Sequence, residues 1–240
     1  MKRYLLAAFL LPLAACGGGA DSGNTQAPPV AAQAAPAGQD WSQTVAKTAE
    51  GFVMGNPNAP LKLVEYGSRL CPTCKAFADE GYAALKDNYV KSGKVSFEFR
   101  EFLVHGPVDM PPALLGACVG ADAFFPLMAE MFQSQQQFTD KIAAADQAIR
   151  AAPGADRFRI GAEALGLLSF VKQRGLPEAK ANSCLTDAAE IDRLAKQTQD
   201  KGPGGDKTVS GTPTFLLNGK VLDGAIGWSQ VEAALKRAGA

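Results

Sequence analysis

The chain has 240 residues, with 24 basic side chains, 24 acidic side chains and one histidine. This length allows one domain with an insertion, whereas two large domains would need a longer chain. The balanced charge argues against a nucleic-acid surface, which needs a basic stripe, so we expect no nucleic-acid partner.

Residues 1–15 have the features of an export signal. Lys2 and Arg3 precede a short apolar run over 4–13, and Leu-Ala-Ala comes directly before Cys16. This resembles the lipobox of bacterial lipoproteins, in which the cysteine is acylated and becomes the first mature residue. The apolar run is too short to span a bilayer. The resemblance predicts a periplasmic protein anchored by lipid at Cys16, and the alternative is an ordinary secretory signal cleaved nearby.

Residues 16–40 are rich in Gly, Ala, Pro, Gln and Ser, and Val30 is their one large apolar residue. Such a composition cannot bury enough surface to fold, so it predicts a flexible tether. Four cysteines follow, namely Cys71, Cys74, Cys118 and Cys184. An even number in an oxidising compartment points to two pairs.

The next part of the chain predicts several strands around one helix. Val95, Phe97 and Phe99 alternate with polar residues, as in a half-buried strand. The predicted elements are a weak helix over 41–48, strands over 51–54 and 61–66, a helix from 72 to about 86 or 89, and a strand over 95–102.

From residue 111 to 202 the pattern changes to alanine-rich helices without strands, which predicts an all-helical insertion. Its segments are 112–119, 122–134, 138–151, 156–172, 177–181 and 186–199. Asn218-Gly219 between the apolar runs 214–217 and 221–222 predicts a β-hairpin. Ser229 is expected to cap a last helix over 230–237. The remaining residues, 41–110 and 203–240, would form one α/β domain.

Cys71 lies where a strand turns into a helix. Pro72 suits the first helical position, so the Cys71 sulfur is expected among unpaired amide donors at the positive end of the helix dipole. This environment favours a thiolate, which attacks disulfides and leaves readily. Cys74 follows one helical turn later and can form or resolve a bond with Cys71.

The order of these elements resembles the DsbA-like branch of the thioredoxin superfamily, thiol–disulfide oxidoreductases with a helical domain inserted in a thioredoxin fold. Three features carry the resemblance, which covers residues 41–240. They are the Cys71-Pro72-Thr73-Cys74 motif, the Thr212-Pro213 dipeptide before a strand, and Glu65, six residues before the first cysteine.

The resemblance implies a role for each feature. Thr212-Pro213 would be a cis-proline loop that, with Pro72 and Thr73, binds an extended substrate strand. Glu65 would be a buried acid that takes the proton from Cys74, although a solvent-facing position is the alternative. No small-molecule cofactor is implied. The partners would be exported substrate proteins and a membrane oxidase or reductase.

One residue departs from the family pattern. Strongly oxidising members carry histidine before the second cysteine, where this chain has Thr73. We therefore expect a less oxidising couple, with the helix terminus and Arg69 still favouring the thiolate. The lone histidine, His105, is expected in a surface or packing role.

Cys118 and Cys184 are interpreted as a structural disulfide across the helical insertion, with two buried free thiols as the alternative. Other functional readings stay open as well. A non-catalytic binding or chaperone lipoprotein could keep Cys71–Cys74 as a fixed disulfide, and four cysteines could hold zinc. The direction of exchange (oxidase, reductase or isomerase), the oligomeric state and the membrane of the anchor are also open.

Overall fold

The computed structural model describes residues 26–154 and 156–240. The predicted leader and the lipidation site Cys16 lie outside the described residues. Within the described part of the chain, none of the helices combines the length and the apolar character needed to cross a bilayer.

A six-stranded mixed sheet forms the centre of the α/β domain, in the order β1-β2-β4-β3-β5-β6. The two central strands, β3 and β4, run parallel, and all other neighbours are antiparallel. Because β3 is covered on both faces, all but one of its seven residues are buried. The strands are β1 Val45–Lys47, β2 Phe52–Gly55, β3 Leu61–Gly67, β4 Val95–Glu101, β5 Thr214–Leu217 and β6 Lys220–Val221.

Helix α1, Pro72–Ala84, connects β3 to β4 and continues as a π-helical turn, Leu85–Val90. Helix α10, Trp228–Arg237, packs beside it. Gly81 permits this contact, because a Cβ there would overlap the Trp228 ring. Phe77 of α1 lies between the two layers, with its ring centroid 4.5 Å from that of Phe215.

In the described ranges, eight α-helices separate β4 from β5 and have an apolar core of their own. They are α2 Met110–Cys118, α3 Ala121–Gln133, α4 Gln135–Thr139, α5 Ile142–Ala151, α6 Asp156–Leu165, α7 Leu167–Lys172, α8 Glu178–Leu185 and α9 Ala188–Lys201. Two predicted helices are each split in two. The 156–172 segment breaks at Gly166, whose φ of +81° is a left-handed conformation that suits glycine, and the 138–151 segment breaks at Asp140-Lys141.

A disulfide between Cys118 and Cys184 joins α2 to α8, with an S–S distance of 2.06 Å. Both sulfurs are therefore occupied, and neither can serve as a zinc ligand beside Cys71 and Cys74. The bond closes a sequence separation of 66 residues within the helical block.

The prediction of a flexible tether over 16–40 is wrong for residues 26–40, the part of it that the structure describes. The backbone N–H of Val30 donates to the Gly239 carbonyl at 2.8 Å, and that of Gln33 donates to the Ser92 carbonyl at 2.9 Å. The Val30 side chain packs against the main core. Paired backbone groups and one half-buried apolar side chain hold this segment on the domain in spite of its composition.

Two further predictions need correction. The weak helix over 41–48 is a single 3₁₀ turn, Trp41–Gln43, followed by strand β1, because the β2 edge offers a pairing partner. The last helix begins at Trp228 with Gly227 as its N-cap, rather than after Ser229. The Gln230 side chain accepts a hydrogen bond from the Gly227 N–H at 3.2 Å and so caps the N-terminus of this helix.

Candidate active site

Cys71 is the N-cap residue of α1, and Pro72 opens the helix. The Cys74 backbone N–H donates to Cys71 Sγ at 3.4 Å, and Cys71 Sγ lies 3.3 Å from the Thr212 carbonyl oxygen, to which it donates only in its protonated form. Both cysteines are free thiols, and both are buried. The strand-to-helix corner thus places one sulfur at the helix terminus and the other one turn inside.

The pKa values of the two thiols are shifted in opposite directions. Hydrogen bonding from the Cys74 thiol is the largest of several contacts that, against the effect of burial, lower the pKa of Cys71 to about 5. Burial raises the pKa of Cys74 well above its usual range, with further contributions from its hydrogen bond to Cys71 and from Glu65. Cys71 is consequently ionised at neutral pH, while Cys74 keeps its proton.

Glu65 lies on β3 beneath the cysteines and is 2% exposed. Burial raises the pKa of its carboxyl well above the usual range, and the negative charges of Cys71 and Glu101 act in the same direction. Proximity of the Cys74 thiol has the opposite effect. One carboxyl oxygen, Oε1, is buried without a hydrogen-bond partner in the part of the chain that the structure describes. The solvent-facing alternative for Glu65 is wrong.

The Thr212–Pro213 peptide bond is cis and lies against Cys71, across a sequence separation of 141 residues. Pro213 is buried and Thr212 is half-buried. A shallow groove runs from this loop along the turn after β6, and Ile226 on its rim is 57% exposed. A groove of mixed polar and apolar lining therefore begins at the loop that contacts Cys71. Pro72 is exposed and Thr73 half-buried beside it.

Arg69 does not have the predicted role. Its guanidinium is buried, donates to Glu101 Oε1 at 2.7 Å and lies over the Phe124 ring at 4.8 Å from the ring centroid. Gly116 leaves room for it, because a Cβ there would overlap the guanidinium. Since a buried cation needs a buried anion, Arg69 is directed to Glu101, and the hydrogen bonds at Cys71 rather than this charge stabilise the thiolate.

Sequence reasoning missed a residue that supports the corner from the helical block. Gln135, at the start of α4, is 4% exposed, and its Nε2 donates to the carbonyls of Arg69 at 3.0 Å and Cys71 at 2.9 Å. The Cys71 carbonyl also accepts the Lys75 N–H at 3.1 Å, so the Arg69 carbonyl is the one that depends on Gln135 for its hydrogen bond, and a buried carbonyl without a partner is costly. Gln135 stands in a run of three glutamines, and nothing in that local pattern indicates the contact.

Three features define a thiol–disulfide oxidoreductase. They are a thiolate at a helix N-terminus, a protonated thiol one turn away, and the Thr212 carbonyl of the cis Thr212–Pro213 peptide against the sulfur. A family model described as thioredoxin matches residues 47–237, so the chain belongs to the thioredoxin family. Its relatives and structural neighbours place it among the DsbA-like protein-disulfide oxidoreductases.

The probable disulfide bond formation protein D of Bacillus cereus is 26% identical over 177 residues, 71% of either chain. The disulfide bond formation protein D of Bacillus subtilis is 22% identical and is matched over 75% of its length and 77% of this chain.

Solved structures agree on the fold. A protein-disulfide isomerase from Novosphingobium aromaticivorans superposes with a TM-score of 0.72 at 33% identity, covering 78% of this chain and 97% of that one. Oxidised BdbD of Bacillus subtilis superposes with a TM-score of 0.57 at 17% identity, over 83% of this chain and 98% of its own. The predicted thioredoxin fold with a helical insertion is confirmed, and so is the predicted class of enzyme.

Proposed function

We propose that this protein exchanges disulfides with exported protein substrates, with Cys71 as the nucleophile and Cys74 as the resolving thiol. The asymmetry of the two thiols carries the proposal, because Cys71 is ionised and lies against the cis-proline loop that lines a groove, whereas Cys74 is protonated and fully buried. Electrons pass between protein thiols, so the exchange needs no small-molecule cofactor.

In the oxidising direction, a substrate thiolate attacks Cys71 of the Cys71–Cys74 disulfide and forms a mixed disulfide. Cys74 leaves as a thiolate and takes up one proton. A second substrate thiolate then attacks the substrate sulfur, and Cys71 leaves as a thiolate that needs no proton. Every bond that breaks is replaced by one that forms, and two electrons move to the enzyme.

Glu65 would handle the proton at Cys74. As a buried, protonated acid next to this thiol, it can give a proton to the Cys74 thiolate and take it back when Cys74 attacks. The Thr212 carbonyl and the cis Pro213 would hold the substrate backbone beside Cys71, with Pro72, Thr73 and Ile226 forming the rim.

We infer that oxidation of substrates is the favoured direction. With a pKa of about 5 the Cys71 thiolate is the dominant species at pH 7, which favours the reduced enzyme by roughly 100-fold over an unshifted thiol. A redox couple whose dithiol form is stabilised is a stronger oxidant, so it transfers its disulfide to substrate thiols. A redox partner protein would then regenerate the disulfide.

Thiol exchange by the purified full-length protein tests the proposal. We expect it to oxidise a reduced, unfolded test protein and to reduce insulin with dithiothreitol, and we expect Cys71→Ser to abolish both reactions. Cys74→Ser should accumulate a mixed disulfide with the substrate at Cys71. Failure of the unaltered protein in both assays would refute the assignment, and an ordinary pKa at Cys71 would instead favour a non-catalytic binding protein.

We also propose that the protein is lipid-anchored at Cys16 and faces the periplasm, on the strength of the lipobox sequence alone. Metabolic labelling with a radioactive fatty acid should label the protein, and Cys16→Ser should remove the label. Release of the unaltered protein in unlabelled, soluble form would refute the anchor and leave the exchange chemistry untouched.

A further inference from the structure

His105 lies in the loop between β4 and the 3₁₀ turn Gly106–Asp109, with a side chain that is 34% exposed. Its Nδ1 is 3.0 Å from one carboxyl oxygen of Asp109 and 3.2 Å from the other. Its backbone N–H donates to Asp109 Oδ2 at 2.6 Å. The imidazole is therefore fixed by one carboxylate and remains partly exposed to solvent.

Asp109 connects this histidine to the active-site corner. The carboxylate is 2% exposed and accepts a hydrogen bond from Ser68 Oγ at 2.7 Å. Ser68 Oγ accepts from the Leu70 N–H at 3.0 Å, and the Ser68 carbonyl accepts from the Cys71 N–H at 3.1 Å. One hydrogen-bonded chain thus runs from the imidazole to the backbone of the nucleophile.

The charges around this chain are mostly negative. Cys71, Asp109 and Glu101 lie close together, and Arg69 is bound to Glu101, on which Arg193 of α9 also acts. In the described ranges, His105 is the cationic group that contacts Asp109. Ser68 and the His105 backbone give the buried Asp109 carboxyl neutral donors, and the imidazolium form of His105 is favoured because it adds a positive charge beside it.

The histidine and the nucleophile also act on each other. The hydrogen bond with Asp109 raises the pKa of His105 against the opposing effect of burial, and the negative charge of Cys71 raises it further. Coupling between two sites is reciprocal, so a protonated His105 must favour the Cys71 thiolate to the same extent.

We propose that His105 is a proton-dependent positioning residue for the redox site, which acts through Asp109 and Ser68 and supplies the positive charge that Thr73 cannot offer. The inference rests on the proposed function. When the enzyme accepts two electrons, the two substrate thiols release two protons as their disulfide forms. Cys74 keeps one, and His105 takes up part of the second. Reduction of the enzyme is thereby linked to pH near neutrality.

The chain has one histidine, so its imidazole can be followed without ambiguity by NMR in the untagged protein. We expect the His105 pKa to be higher in the dithiol form than in the disulfide form by about half a unit, as for two charges separated by part-solvated protein. In the Cys71→Ser protein, which has no thiolate, the pKa should fall to the disulfide value.

The reciprocal effect of His105 on the nucleophile is measured as a shift in the pKa of Cys71. His105→Gln should raise the Cys71 pKa, read from thiolate absorbance against pH, by a similar amount, and His105→Lys should restore part of the difference. Lys236→Gln, which removes an exposed cation on α10, is the matched control and should leave the value unchanged. Equal His105 pKa values in both redox forms would overturn the proposal. The exchange assays of the unaltered protein separate this result from a failure of the proposed function.

Discussion

Replacing Glu65 by glutamine tests whether a neutral, buried acid lies beneath the cysteines. The substitution keeps the shape and one polar oxygen but removes the titration. Because burial raises the pKa of Glu65 well above its usual range, the folded protein keeps a proton that the unfolded chain releases above about pH 4.3. Glu65 therefore contributes a stability that falls as the pH rises through this window, whereas the lowered pKa of Cys71 acts in the opposite direction above about pH 5.

The expected size follows from the proton balance. With one more proton bound in the folded state than in the unfolded state, the free energy of unfolding falls by about 1.4 kcal/mol per pH unit until the native pKa of Glu65 is reached. Glu65→Gln removes this slope. Relative to the unaltered protein, the variant should gain up to about 2.7 kcal/mol between pH 5 and pH 7.

Guanidinium denaturation at several pH values measures the difference. The Cys71→Ala/Cys74→Ala background avoids redox side reactions and keeps the larger cause of the shift, which is burial. Glu80→Gln, on the exposed side of α1, is the matched control for exchanging a carboxyl for an amide. A Glu65→Gln difference that stays constant from pH 4.5 to 7.5 would show that the carboxyl is ionised in the folded protein, and the reasoning would fail.

The same substitution should slow catalysis. In the dithiol protein, Glu65→Gln should reduce the rate of mixed-disulfide resolution by about 100-fold, the usual contribution of a positioned acid or base. Attack by Cys71 on a small disulfide should stay unchanged, because Glu65 contacts the other thiol. Quenched-flow trapping of the mixed disulfide distinguishes the two steps.

Three further outcomes are expected. Alkylation of Cys71 by iodoacetamide should follow a titration with a pKa of about 5, and a midpoint above pH 8 would contradict the hydrogen-bonded thiolate. Gln135→Ala should cost about 1–3 kcal/mol in urea denaturation, because it leaves the Arg69 carbonyl buried and unpaired while the Cys71 carbonyl keeps the Lys75 N–H, whereas a neutral change would show that water replaces the amide. Replacing Cys118 and Cys184 together by serine should lower stability by about 2–4 kcal/mol without altering the Cys71 titration.

Local patterns were sufficient for much of this protein. The alternation in β4, the strand-to-helix corner at Cys71 and the Asn218-Gly219 hairpin each depend on neighbours within a few residues, so their signals are present in the chain itself. The segments that were predicted wrongly depend on distant partners instead. Residues 26–40 lie on the domain because the carbonyls of Ser92 and Gly239 accept hydrogen bonds from their backbone, and composition alone does not reveal such acceptors.

The sequence by itself determined the thioredoxin arrangement of elements, the nucleophile with its proline-started helix, and the pairing options of four cysteines. Only the tertiary structure decided which charges meet. It directs Arg69 to Glu101 and away from the thiolate, brings Gln135 to the Cys71 carbonyl across a separation of 64 residues, and connects His105 to the corner through Asp109. Helix and strand propensities act over a few residues, whereas the pairing of buried polar groups is settled by whichever partner the completed packing brings within bonding distance.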